Sequence, residues 1–120
     1  MNGRPHKRLI AWQKAMALVS RVYEATNEFP RSEEFGLKPQ MRRAAVSVPS
    51  NIAEGMTRRS NREKLQFLSY ARASLGEIDT QTEIALRLEY VSKAEFESLE
   101  RNLMDVQMLL SGLARSYESR

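Results

Sequence analysis

Cysteine is absent from this 120-residue chain, and histidine occurs once, at His6. Without cysteine there are no disulfides, cysteine–zinc sites, iron–sulfur clusters or thiol nucleophiles. One histidine near the N-terminus cannot supply a Ser/His/Asp triad, nor the paired Glu-x-x-His motifs of a di-iron bundle. The expectation is no catalytic set, no cofactor and no metal. Glycine and proline are scarce, at five and four residues, which leaves little material for a turn-rich β fold. The glycines at 36, 55, 76 and 112 are isolated, so no phosphate-cradling loop is present. No apolar run approaches the roughly 18 residues of a membrane span. Arg4, Lys7 and Arg8 imitate the basic start of an export signal, but Gln13 and Lys14 break the apolar run that follows. A cytoplasmic protein is expected, forming a single domain over 1–120 with a flexible basic arm at 1–8.

What is present is helical patterning. From Leu9 to Phe29, Trp12, Ala15, Met16, Val19, Val22, Tyr23 and Thr26 recur at helical spacing and predict one apolar stripe. Phe29-Pro30 ends that helix, because proline biases its predecessor toward extended geometry. PRSEEFGLK at 30–38 is a connector, with Phe35 and Leu37 expected to tuck under the bundle. A second helix begins near Pro39 and carries Met41, Ala45, Val48 and Ile52 on one stripe, with Gly55 as its C-cap. Pro49 sits inside it. One helix kinked there is favoured, since a fresh start at Pro49 would leave Val48 as a poor N-cap; a break is the rival reading.

Ser60-Asn61-Arg62-Glu63 and Ser92-Lys93-Ala94-Glu95 are capping boxes that open two further helices. The third carries Leu68, Ala71, Leu75, Ile78, Thr82, Ala85 and Leu86 to about Glu89. The fourth repeats Phe96, Leu99, Leu103, Val106, Leu110, Leu113 and Tyr117 in steps of three and four. No strand pattern, internal repeat or low-complexity tract occurs. The fold class is all-α: an antiparallel up-down-up-down four-helix bundle.

Charge adds a second pattern. The chain carries +4 overall. Residues 38–64 hold seven basic and two acidic side chains, so this segment is +5 and the remainder −1. Arginine forks match phosphate geometry, which makes Arg42, Arg58, Arg59, Arg62 and Lys64 candidates for nucleic-acid contact. No aromatic residues interleave there, so phosphates and shape would be recognised in preference to bases. The alternative is a solvated surface turn.

A third pattern lies on faces turned from the predicted core. Arg43, Ser47, Ser50 and Glu54 share the outer side of the second helix. Tyr70, Ala73 and Ile84, with Glu77 between them, form a partly apolar stripe on the third. A monomeric bundle helix needs only one apolar stripe, so these eight are candidates for a homo-oligomer interface. An ordinary polar outer face is the other possibility.

The run QMRRAAVSVPSNIAEG at 40–55, flanked by AWQKAMALVSRVYEAT and FLSYARASLGEIDTQ, resembles the four-helix-bundle proteins encoded in intervening sequences of bacterial 23S ribosomal RNA genes. Tyr70-Ala71-Arg72-Ala73 and Gly76 depart from the usual spacing of Gly and Leu around Ser74-Leu75. The resemblance implies an antiparallel four-helix bundle without enzymatic activity. It also implies a likeness in shape to the accessory proteins of diversity-generating retroelements, which form pentameric barrels and bind nucleic acid and a reverse transcriptase through a basic surface. It carries over no site residues. The expected function is thus a homo-oligomeric, pentameric bundle binding nucleic acid, foremost structured RNA. The alternative is a protein-interaction adaptor or structural oligomer without a nucleic-acid partner. Neither a membrane nor a small-molecule substrate is expected as a partner.

Overall fold

The computed structural model describes residue 6 and residues 9–118. The expected basic arm at 1–8 therefore lies, apart from His6, outside the described residues. Four α-helices follow one another: α1 (Ile10–Asn27), α2 (Leu37–Met56), α3 (Asn61–Arg87) and α4 (Lys93–Tyr117), with a 3-10 turn at Arg31–Glu33 between the first two. No strand occurs among the described residues. Each helix packs on two others: α1 on α2 and α4, and α3 on α2 and α4. This fourfold arrangement encloses one core and gives extents of 46 × 26 × 20 Å. The long dimension is about the length of α3 at 1.5 Å per residue.

The apolar stripes of the last three helices lie where their spacing puts them. Met41, Ala45, Val48 and Ile52 on α2 are fully buried, as are Leu68, Ala71, Ile78, Thr82 and Ala85 on α3. Leu99, Leu103, Val106 and Leu110 line the core from α4. Each fully buried Leu or Ile contributes about 1.5–3 kcal/mol. The buried hydroxyls of Thr26 and Thr82 donate to the carbonyls of Val22 and Ile78, at 2.8 and 2.7 Å, so neither is left without a partner.

Helix α1 is rotated from its expected facing. Ala11, Ala15, Leu18, Val22 and Ala25 are buried, while Met16 and Tyr23 are exposed and Trp12 and Val19 lie half-buried. The alanines let α1 approach its neighbours closely, and the bulkier apolar residues are left along its flank. His6, in the arm expected to be flexible, is half-buried and meets Trp12 edge-on at 5.2 Å.

The connector also departs from expectation. Leu37 is buried, but Phe35 is 97% exposed. Helix α2 starts two residues earlier than Pro39, at Leu37, through an unexpected cap: the Glu33 carboxylate accepts the Leu37 N–H at 2.8 Å and the Tyr90 hydroxyl at 2.8 Å. Those two hydrogen bonds, the backbone one first, hold the Glu33 carboxyl below the usual carboxylate range. A Cβ on Gly36 would stand 2.6 Å from Glu33 Oε1, so the missing side chain makes room for the cap.

Helix α2 runs without a break through Pro49 to Met56. Gly55 is inside it, not a left-handed C-cap, since no glycine among the described residues has positive φ. Its role is close approach: an added Cβ would lie 3.1 Å from Phe67 Cβ on α3. The Ser92 capping box is complete. At Ser60 only half forms; the hydroxyl accepts the Glu63 N–H at 3.1 Å and donates to Glu63 Oε1 at 3.2 Å.

Candidate nucleic-acid interface and outer faces

The α2–α3 turn brings together four of the five basic candidates, Arg58, Arg59, Arg62 and Lys64, and Ser60 caps the helix that presents the last two. The four are not equivalent. Arg58 pairs with Glu54 and stacks over Phe67 at 4.7 Å. Lys64 donates to the Arg58 carbonyl and lies 5.8 Å above the Tyr117 ring. These two cations are engaged in joining the ends of α2, α3 and α4. Arg59 and Arg62 are exposed and have no ion-pair or hydrogen-bond partner among the described residues.

Arg42 stands apart, at the other end of α2. Its Nε donates to Thr26 Oγ1 at 2.8 Å, and Nη2 donates to the Tyr23 carbonyl and to Asn27 Oδ1. The guanidinium lies 4.3 Å over the Tyr23 ring. Arg42 therefore fastens the last turn of α1 to α2, and three of its donors are occupied.

The interface candidates separate in the same way. Arg43, Ser47 and Glu77 meet in one cleft between α2 and α3, with Gln40 and Gln81. Ser47 is held there by a 2.7 Å hydrogen bond to Ser74 and accepts from Asn51. Ser50 is turned to the α1 side, donating to the Val46 carbonyl. Glu54 is committed to Arg58. Tyr70, Ala73 and Ile84 are exposed along α3. Tyr70 accepts from Gln66, and Ile84 borders a shallow depression with Asp79 and the Glu83–Arg87 ion pair.

Two outer grooves were not anticipated. One runs between α1 and α2, where Trp12, Met16, Val19 and Val46 form an apolar trough floored by Pro49. It continues past Tyr23 to Arg43. The other lies between α3 and α4, a cavity of about 320 Å³ with Gly76, Asp79, Glu100, Met104 and Met108 in its wall. Met104 and Met108 are 62% and 69% exposed. The Glu100 carboxyl is pushed up to about 7, chiefly by its hydrogen bond with Asp79, then by burial and the nearby charges of Asp79 and Glu83. The i, i+4 spacing of Met104 and Met108 was a legible signal for this surface, overshadowed by the core heptad.

Among the described residues, no group of three or more His, Asp or Glu side chains is arranged to hold a metal ion. No helix is long and apolar enough to cross a membrane.

Comparison with known proteins agrees with this architecture. No curated protein sequence matches the chain. A crystal structure of a protein of unknown function from the S23 ribosomal protein family of Bacteroides thetaiotaomicron superposes with a TM-score of 0.79. The two share 21% identity over 88% of this chain and 98% of that one. At that identity the likeness speaks for the fold. The sequence profile of one family spans residues 7–112. With that match across most of its length, and the four-helix packing just described, the chain belongs to the 23S rRNA-intervening sequence protein family.

Proposed function

We infer that this protein is a cytoplasmic, non-enzymatic, homo-oligomeric helical bundle that binds nucleic acid, foremost structured RNA, through phosphate contacts at the α2–α3 turn. The observation that carries this reading is the division among the basic side chains. Arg58 and Lys64 are fixed within the fold, and they support a rigid turn from which Arg59 and Arg62 project unpaired. Exposed, unneutralised guanidinium groups are suited to phosphate, and the nearby Phe67 and Tyr117 rings are already covered by Arg58 and Lys64, which favours shape over base recognition. A pentamer is the assembly that the resemblance implies.

The proposed topology is up-down-up-down. In support, the end of α1 meets the start of α2 through Arg42, the end of α2 meets the start of α3 at Gly55 and Phe67, and Arg21 late in α1 donates to Ser98 early in α4. A bend at Pro49 belongs to the same proposal. Proline offers no N–H to the Ala45 carbonyl, and beside it Ser50 and Asn51 return side-chain hydrogen bonds to the preceding turn.

The test is binding to structured RNA across a salt series. Binding should weaken steeply with salt, and Arg59→Ala with Arg62→Ala should reduce the log–log slope by about 1.4–1.8 if both contact phosphate. An unchanged slope would remove this interface. Failure of the wild-type protein to bind at low salt would favour the second reading, a protein-interaction adaptor, for which the unpartnered apolar grooves are the supporting observation.

A further inference from the structure

We propose that copies of this chain join head to tail, the α1/α2 groove of one protomer seating on the α3/α4 groove of the next. This rests on the homo-oligomeric reading above and specifies its faces, which differ from the outer stripe of α2 and α3 expected from sequence.

Three observations carry it. First, two exposed apolar features lie on opposite sides of the bundle. Because α1 neighbours α2 and α4 while α3 neighbours α2 and α4, the α1/α2 and α3/α4 grooves are back to back. Two different faces related in this way make a heterologous contact, which propagates in one direction and closes into a ring or runs on as a filament.

Second, the faces differ in a complementary manner. The α1/α2 side is a trough walled by Trp12, Met16 and Val46. The α3/α4 side projects Met104 and Met108, unbranched side chains that adapt to an irregular trough. Gly76 faces open space on α3 beside them, with nothing within 4 Å of an added Cβ, and leaves room for an approaching helix.

Third, the charges at the two faces are opposite. Arg43, exposed and without an ion-pair partner among the described residues, ends the α1/α2 groove. Asp79, Glu100 and Arg72 line the α3/α4 groove, with Glu83, ion-paired to Arg87, close by. An arginine from the neighbouring copy would pair with these carboxyls. A second copy thus brings the matching charge to each side, whereas a self-paired α1/α2 contact would set Arg43 against Arg43.

The experiment is sedimentation velocity at micromolar concentration on wild type, Val46→Asp and Met108→Asp, with helicity checked by circular dichroism. Both substituted positions are exposed in the protomer, so both variants should fold. Each should sediment as a monomer, and a 1:1 mixture should give a heterodimer, because each partner supplies the face the other lacks. Arg43→Glu should raise the dissociation constant at least tenfold, and Arg31→Glu on the connector should leave it unchanged. Met108→Asp retaining the wild-type mass would overturn the proposal, as would a mixture that stays monomeric. A monomeric wild type would instead overturn the homo-oligomeric reading on which it rests.

Discussion

Arg42 and Arg59 have the same charge and different work. Arg42 occupies Thr26, Tyr23 and Asn27, so Arg42→Ala leaves the Thr26 hydroxyl short of a donor and unfastens α1 from α2. We expect a loss of about 1–3 kcal/mol in chemical denaturation. Arg59→Ala, with no partner to lose, should fall within about 0.5 kcal/mol of wild type. Equal effects of the two substitutions would contradict this division.

Glu100 gives a second residue-scale expectation, in pH. Its folded-state value of about 7 lies above the ordinary 4.5. Folding therefore favours the protonated form. That contribution is complete below about 4.5 and is lost as pH rises through 7. The Glu33 carboxyl behaves oppositely: held low by Leu37 and Tyr90, it stabilises above the ordinary carboxylate range and fades on acidification. Glu100→Gln should leave stability at pH 5 nearly unchanged and raise it at pH 8 by about 1 kcal/mol, discounted for solvent screening. Thermal melts from pH 5 to 8 measure this; a mutant curve parallel to wild type would refute it.

At the scale of the element, caps and glycines decide where helices begin and how near they come. Ser92→Ala removes a complete capping box and should cost about 1 kcal/mol. Gly76→Ala should do the reverse. The position is mid-helix with open space around it, so replacing glycine raises helix propensity without a clash, by about 1 kcal/mol in urea denaturation of the protomer. Gly55 does not share that freedom, because Phe67 stands in the way. Pro49 floors the α1/α2 groove, so Pro49→Ala should alter assembly mass while protomer stability moves by less than about 1.5 kcal/mol. Unchanged assembly would make the proline a local feature only.

At the scale of the whole molecule, four of the basic candidates gather at the α2–α3 turn while apolar grooves run along opposite sides. Under the proposals above these surfaces have separate tasks, and they should separate experimentally. Arg59→Ala with Arg62→Ala should weaken RNA binding and keep the wild-type sedimentation mass. Met108→Asp should lower the mass, and its remaining RNA affinity then reports how far binding depends on several turns acting together. If the arginine variant also dissociated the assembly, the two surfaces would be one.

The sequence by itself determined the helices and most of the core. Long periodic stripes such as Leu99, Leu103, Val106 and Leu110 have one consistent burial solution, and a serine three residues ahead of a glutamate marks a helix start wherever it packs. It also located the basic turn and the end of α1 ahead of Pro30. Tertiary structure alone decided how far the buried face of α1 is rotated from its predicted stripe, because small alanines win only when a neighbouring helix comes close enough to use them. It decided that Phe35, in a loop without periodicity, points outward, and that Glu33, while capping α2 at Leu37, also accepts from Tyr90, 57 residues away. It also decided which arginines are spent and which are free, since charge is written in composition but its neutralisation depends on what the fold sets within 3 Å.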